Sequence, residues 1–429
     1  MQTNRLGRSS VHVTELSFGA AGIGNLYTPV SDATACASVQ AAWEVGIRCF
    51  DTAPHYGLGL SELRLGAALR DYPREAYTVS TKVGRILEPL RHPDGDDLAN
   101  GFAVPASHRR RWDFTAAGVE RSLADSLRRL SLDRIDIVYL HDPDEHAEQA
   151  LREAYPALEK LRNQGVIGAI GVGMNQPALP ARFVTETDID VVLLAGRYTL
   201  LDQSGLDDLL PAAEARGVSV VIGGVFNSGV LADPHRGATF DYGAVPEEAL
   251  SRALRMQVLC EKHGMNLRSA ALQFPFGHSA VSSVLIGARN PDEVRDAVDQ
   301  VKQPIPLSLW HELRTTGLLP ENVPLPEHAR PRLLDRKRGC RPPGCLGVVT
   351  PHGCSGRPSA TCPAQPPPRA RRSANAARRA PVTSRCPRSQ AGRVAKNVAM
   401  AEAARTIAAL TAALTDIWVA PSRKPCAST

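Results

Sequence analysis

Eight short apolar runs, rich in Val and Ile, recur along the first three quarters of the chain, and helical patterns separate them. Nearly continuous apolar strands are what a parallel sheet covered on both faces requires. Eight strand–helix units therefore predict an α/β fold, a closed (β/α)8 TIM barrel, rather than two doubly wound sheets. The predicted strands are Glu15–Gly19, Arg48–Thr52, Ala76–Lys82, Ile135–His141, Ala169–Asn175, Val191–Arg197, Val218–Gly224 and Val281–Gly287.

Helices are predicted over Ala33–Glu44, Ser61–Leu69 and Thr115–Arg129. The first follows a Ser-Asp capping pair, and the third has apolar residues at positions i, i+4 and i+8, which places them on one helix face. Ahead of the barrel, Arg5–Val13 carries a Gly-containing turn between two short β-prone segments. This pattern predicts a small N-terminal β-hairpin.

The composition changes at about Arg336. Residues 336–429 hold 17 Lys and Arg but only two acidic residues, a net charge of +15, which leaves −9 on residues 1–335. We therefore predict a barrel domain over residues 1–335 and a basic, Pro/Arg/Ala-rich tail of low order over 336–429. Two alternatives for the tail stay open: a basic arm that binds anionic surfaces, and translation of a GC-rich gene in a shifted frame.

Several classes of protein are excluded by the composition of the barrel region. Its net negative charge gives no electrostatic reason to bind nucleic acid. The N-terminus lacks a secretory signal, and no apolar stretch is long enough to cross a membrane. Only three of the nine cysteines precede residue 336, which suits a reducing compartment. The tail cysteines lack paired spacing, so we expect no metal site and a cytoplasmic protein.

Reactive groups of such a barrel lie at the C-terminal ends of its strands. The second, third and fourth predicted strands end near Asp51 and Tyr56, at Lys82, and at His141. Tyrosine can act as acid or base, but its pKa near ~10 is too high unless an adjacent ammonium lowers it. A carboxylate keeps that lysine charged, and an imidazole can orient a substrate oxygen. Alternatively, Lys82 and Asp51 form a salt bridge that merely joins two strands.

The segment Asp51–Gly57, the strand end at Lys82 and the pair Leu140-His141 resemble the aldo-keto reductases in order and spacing. The resemblance covers roughly residues 5–330. It implies a (β/α)8 barrel that binds NAD(P), with Tyr56 as general acid/base. Lys82 and Asp51 would tune Tyr56, and His141 would orient the substrate.

Within the family, Pro54–Glu62 resembles the branch of aldose 1-dehydrogenases and pyridoxal 4-dehydrogenases. The implied reaction oxidises the anomeric hydroxyl of an L-fucose-like aldose to a lactone. We place His55, Phe102 and Trp112 in the substrate pocket. The alternative for the aromatic residues of the long connection after the third strand is that they serve only to pack the loop. Alternative functions are an NADPH-dependent aldehyde reductase, a pyridoxal dehydrogenase, and a cofactor-binding regulatory subunit without turnover.

The resemblance also implies a set of cofactor contacts. Asn175 would bind the nicotinamide amide, Tyr198 would stack on the ring, and a glycine-rich loop would approach the pyrophosphate. Positions that hold cations in many NADPH-preferring members are Ala288 and Val294 here, so we favour NAD over NADP. The partner is a small sugar or aldehyde, and the oligomeric state stays open. The other predicted cofactor residues are Gly223, Gly224, Phe226, Ser228, Gly287, Arg289 and Asp296.

Overall fold

The computed structural model describes residues 1–326. Within them, eight parallel strands close into a barrel in which each strand pairs with the next along the chain and the eighth pairs with the first. This confirms the predicted (β/α)8 barrel. The domain boundary at residue 335 and the tail over 336–429 lie outside the described residues. The strands are β1 Leu16–Gly19, β2 Cys49–Asp51, β3 Thr78–Val83, β4 Ile135–His141, β5 Ile167–Met174, β6 Val191–Ala195, β7 Ser219–Gly223 and β8 Val281–Gly287.

Helices cover the outer face of the barrel and explain why the strands are apolar on both sides. Thr115 caps the third helix by accepting a hydrogen bond from the backbone N–H of Gly118 at 3.0 Å, as the capping pattern requires. The α-helices of seven or more residues in the described part are Asp32–Glu44, Leu60–Leu69, Ala116–Leu130, Tyr155–Asn163, Ala178–Glu186, Leu209–Arg216, Glu247–Lys262, Leu267–Gln273, Pro291–Lys302 and Leu307–Thr315. None of the helices described is long and apolar enough to cross a membrane.

A buried ion pair fixes the helix that follows β2. The Glu62 side chain is fully buried, and it accepts hydrogen bonds from Thr81 at 2.8 Å and from Arg129 at 2.5 Å. Nearby, Gly66 approaches the carbonyl of Leu130 so closely that an added Cβ would lie 2.1 Å from the oxygen. These contacts join the second helix to β3 and the third helix, and they anchor the loop that carries Tyr56.

The N-terminal hairpin closes one end of the barrel. Thr3–Arg5 pairs antiparallel with His12–Thr14, as predicted. The Asn4 side chain donates to the carbonyl of Ser282 at 2.6 Å, and Leu6 packs among side chains from the barrel interior. With this end filled, the barrel is open to ligands at the C-terminal ends of its strands.

The connection between β3 and its helix contains more structure than the long loop we predicted. Arg85–Pro89 pairs with His108–Trp112, and Asp96–Asp97 pairs with Phe102–Pro105. A further hairpin, Thr239–Phe240 with Gly243–Ala244, follows β7. Both insertions lie at the open end, where they contribute side chains to the site.

Candidate active site

A cavity of about 610 Å³ opens at the C-terminal ends of the strands. It combines three of the four residues predicted to be catalytic with polar and aromatic side chains from several loops. Its lining includes Tyr27, His55, Tyr56, Lys82, Arg85, Asn100, Phe102, His141, Asp142, Met174, Asn175 and Tyr242. The fourth residue, Asp51, lies behind Lys82.

Lys82 and Asp51 form a buried ion pair between β3 and β2. The Lys82 Nζ atom lies 2.6 Å from Asp51 Oδ2 and 2.9 Å from the carbonyl oxygen of Thr52, while Ser80 donates to Asp51 Oδ1 at 2.7 Å. Burial alone would lower the pKa of Lys82, but Asp51 and Tyr56 outweigh it and raise that pKa. The lysine is therefore cationic. The pair joins two strands, as the structural alternative required, and also points an ammonium towards the cavity.

Tyr56 lies beside that ammonium, on the loop after β2. Lys82 Nζ is 4.7 Å from the centroid of the Tyr56 ring. Burial raises the pKa of the Tyr56 hydroxyl to about 12, while the charge of Lys82 acts to lower it. The sequence predicted a net lowering, and this structure differs because desolvation of a buried phenolate exceeds the attraction of the ammonium. In the protein alone the hydroxyl is thus protonated, with a cation in place to stabilise its conjugate base.

Two neutral histidines face Tyr56. The His141 ring is perpendicular to the Tyr56 ring at 6.0 Å between centroids, and His55 lies 5.7 Å from His141. Burial and nearby cations, Arg85 first among them, lower the pKa of His55 to about 2 and that of His141 well below its usual value. The Nδ1 atoms of both rings are buried without a hydrogen-bond partner in the described part of the chain. Neutral imidazoles of this kind can hydrogen-bond a substrate oxygen.

The sequence analysis missed an ion pair at the cavity wall. Arg85 lies two residues after the end of β3, Asp142 directly follows β4, and their side chains are hydrogen-bonded. Asp142 has a positive φ of 42°, which is uncommon outside glycine, and its carboxylate lies 3.6 Å from His141 Nε2. Both residues lie near the C-terminal ends of barrel strands, and this position could have identified them from the sequence as further candidates for the site.

Phe102 and Trp112 behave differently from each other. Phe102 is buried in the cavity wall, with its ring 5.2 Å from that of His55. Trp112 does not line the cavity, because its ring stacks on Phe114 and is covered by the Arg85 guanidinium, 4.4 Å from the ring centroid. Of the three residues predicted for the pocket, the structure brings His55 and Phe102 together and leaves Trp112 outside.

The model of the Aldo/keto reductase family matches residues 15–315. The chain belongs to this family. It is 46% identical over 313 residues to a D-threo-aldose 1-dehydrogenase of a Pseudomonas species, covering 72% of this chain and 95% of that protein. It is 42% identical to a pyridoxal 4-dehydrogenase of Microbacterium luteolum, covering 73% and 97%. A solved aldo-keto reductase of Bacillus halodurans, in its holo form, superimposes with a TM-score of 0.61 at 25% identity, covering 75% and 98%.

This aldo-keto reductase is an oxidoreductase of a family that uses nicotinamide cofactors. The predicted nicotinamide contacts separate in the structure. Asn175 lines the cavity just after β5, and its amide acts to lower the pKa of the Tyr242 hydroxyl. Tyr198 is fully buried against Phe274, 5.1 Å between ring centroids, so this structure does not present it to the cavity.

The glycine-rich segment after β7 fits a phosphate-bearing cofactor. Gly224 is exposed with φ of 62°, and Gly223 precedes it at the strand end. Asn227 Oδ1 is buried without a partner among the described residues. Phe226 is partly buried, and Ser228 accepts a hydrogen bond from the Tyr242 backbone. Exposed backbone with few side chains, next to an unsatisfied polar atom, is suited to an extended polar ligand.

The end of β8 and the helix after it carry three more of the predicted cofactor residues, Gly287, Arg289 and Asp296. Gly287 is exposed, and an added Cβ there would meet no atom within 4 Å. Arg289 is occupied by Glu293, at 3.1 Å between side chains and with its N–H on the same carboxylate. Asp296 is paired with Arg268 at 2.7 Å. The residues present therefore fit a nicotinamide dinucleotide, which Asn175 and the segments after β7 and β8 would hold.

Proposed function

We propose that this aldo-keto reductase oxidises the anomeric hydroxyl of an aldose in its ring form to the corresponding lactone, with NAD⁺ as the cofactor. One observation carries the proposal: a buried Lys82–Asp51 pair supports the Tyr56 phenol at a cavity lined by both polar and apolar side chains. The 46% identity to a D-threo-aldose 1-dehydrogenase supports the substrate class. Arg85, Asn100 and Asp142 offer donors and acceptors for sugar hydroxyls.

In the proposed mechanism the phenolate form of Tyr56 takes the proton from the substrate C1 hydroxyl, and the electron pair of the breaking O–H bond forms the lactone carbonyl. Nicotinamide, when bound, supplies the acceptor for the hydride that leaves C1. The Lys82 ammonium stabilises the Tyr56 phenolate, and Asp51 keeps that ammonium charged. His141 is neutral, so it can donate a hydrogen bond to the substrate oxygen without supplying a competing proton.

The preference for NAD⁺ rests on the end of β8. Ala288 and Val294 are buried and uncharged. Arg289 is neutralised by Glu293, so a 2′-phosphate placed there would meet a carboxylate. A ribose with free hydroxyls would find acceptors instead.

A second candidate is oxidation of pyridoxal, which also forms a cyclic hemiacetal. The 42% identity to a pyridoxal 4-dehydrogenase favours it, and Phe102 offers an aromatic wall. An NADPH-dependent aldehyde reductase uses the same four residues in the reverse direction, with the protonated Tyr56 as acid.

The test is a panel of L-fucose, related aldoses, pyridoxal and methylglyoxal with both nicotinamide cofactors, following reduced cofactor and identifying the product by mass spectrometry. We expect the highest kcat/KM for an aldose with NAD⁺ and a lactone product. Tyr56→Phe should abolish turnover while retaining the circular dichroism spectrum and cofactor binding. Faster NADPH-driven aldehyde reduction would establish the reductase instead. Cofactor binding without turnover of any substrate would indicate a regulatory subunit.

A further inference from the structure

Two exposed tyrosines lie at the mouth of the cavity in an uncommon backbone conformation. Tyr27 is 47% exposed with φ of 64°, and Tyr242 is 61% exposed with φ of 65°. Both line the cavity. A positive φ costs free energy in a residue with a bulky side chain, and this backbone conformation persists only where the surrounding structure enforces it.

The backbone of Tyr27 is enforced by the insertion after β3. Its N–H donates to the carbonyl of Gly101 at 2.7 Å, and the preceding residue, Leu26, forms a β-bridge with Phe102. One residue earlier, Asn25 accepts from Arg64 at 2.7 Å through its side chain. The loop is thus held by its backbone and by neighbouring residues, while the Tyr27 ring projects into the mouth.

The backbone of Tyr242 is enforced by the hairpin after β7. Tyr242 occupies the two-residue turn with Asp241, whose φ is also positive at 50°. Its N–H donates to Ser228 Oγ at 3.0 Å, and Asp241 is paired with Arg197 at 2.8 Å. The Asn175 amide acts to lower the pKa of the Tyr242 hydroxyl, and both side chains line the same cavity.

The two side chains are close enough to interact electrostatically, since Tyr242 contributes to raising the pKa of Tyr27. The polar side chains of Arg85, Asn100 and Asp142 line the same cavity. A sugar ring has apolar C–H faces and a polar hydroxyl edge, whereas an open chain presents no flat apolar face. Aromatic side chains contact such faces favourably.

We propose that Tyr27 and Tyr242 form an aromatic clamp on a closed ring substrate and make this enzyme select cyclic hemiacetals over open-chain carbonyl compounds. The inference rests on the proposed aldose oxidation and specifies the form of the sugar that binds. Holding both backbones rigidly lowers the entropy cost of aligning the rings.

The test compares 1,5-anhydro-L-fucitol, a ring without the reactive hydroxyl, with L-fucitol, its open-chain counterpart. Binding of each is measured by calorimetry on the full chain in the presence of NAD⁺. We expect the ring to bind more tightly. Tyr27→Ala and Tyr242→Ala should each weaken ring binding about 3- to 10-fold and change open-chain binding by less than about 2-fold.

Two variants serve as controls. Tyr242→Phe keeps the aromatic ring but removes the hydroxyl, so it should retain binding of the ring ligand within about 2-fold. Leu63→Ala truncates an exposed side chain away from the cavity and should leave the affinity for both ligands unchanged. A loss in Tyr242→Phe equal to that in Tyr242→Ala would overturn the clamp, because the hydroxyl would then carry the interaction.

Other outcomes separate the clamp from the proposed function. The clamp would be refuted if the two alanine variants lost equal affinity for the ring and the open-chain ligand. It would also be refuted if they bound NAD⁺ more weakly and the ring ligand as tightly as before. Neither result would contradict aldose oxidation. A ring ligand that binds through both tyrosines in an enzyme that oxidises no aldose would retain the clamp and refute the function. If the wild-type protein binds no ring ligand, the clamp is refuted whatever the enzyme oxidises.

Discussion

Replacing Lys82 with methionine removes the cation that opposes the high pKa of Tyr56. With 4.7 Å between Nζ and the ring centroid, an effective dielectric constant of ~20 gives an attraction of about 3.5 kcal/mol for the phenolate. That energy corresponds to roughly 2.5 pKa units, so aldose oxidation at a fixed pH should fall about 300-fold. Below the pKa of Tyr56, the rate should rise with pH in both proteins.

The assay is kcat/KM for aldose oxidation between pH 7 and 10. Lys82→Met alone leaves Asp51 buried and unpaired, which destabilises the fold. The double variant Asp51→Asn/Lys82→Met removes both charges and therefore tests catalysis in a folded protein. Lys262→Met, which removes an exposed lysine paired with Glu312, is the matched control and should keep wild-type activity. A double variant with the wild-type rate and pH profile would show that the ammonium does not tune Tyr56.

Three further predictions address stability and cofactor choice. Glu62→Gln removes a fully buried charge from Arg129, so the free energy of unfolding in urea should fall by about 3 kcal/mol; a change within error would mean that the pair contributes nothing. His55 is neutral in the folded state because its pKa is lowered to about 2, so unfolded chains bind more protons below about pH 6.5. The stability that depends on neutral His55 is therefore present above that pH and decreases as the pH falls. Between pH 6.5 and 4.5, the melting temperature should decrease less for His55→Gln than for wild type. Glu293→Gln frees Arg289, so the ratio of the Kd for NADP⁺ to that for NAD⁺ should fall about tenfold in fluorescence titrations; an unchanged ratio would remove Glu293 from cofactor selection.

The barrel could be predicted from the sequence because each strand is apolar on both faces and ends in, or is followed by, glycine or a polar residue. The predicted strands Ile135–His141 and Val281–Gly287 match the structure at both ends, and the other six differ by at most two residues at either end. The grouping of Tyr56, Lys82 and His141 followed from the same logic, since parallel strand ends meet at one rim. Local pattern and barrel closure were sufficient for this part.

What the sequence did not reveal depends on desolvation and on pairing between distant segments. The pKa of Tyr56 is set by burial, which no motif encodes. Trp112 was assigned to the pocket by residue type, but pairing of its strand with Arg85–Pro89 turns it towards Phe114 and away from the cavity. Tyr242 was missed because its hairpin is short and follows β7 after a long irregular stretch.

The β-bridge between Leu26 and Phe102 joins the loop after β1 to the insertion after β3. Asn25 and Ala103 strengthen it by exchanging hydrogen bonds at 2.9 and 3.1 Å. If only one of the two segments were transplanted into a related barrel, its backbone groups would lose the hydrogen-bond partners that the other segment provides. Chimeras intended to exchange substrate range should therefore move the two stretches together.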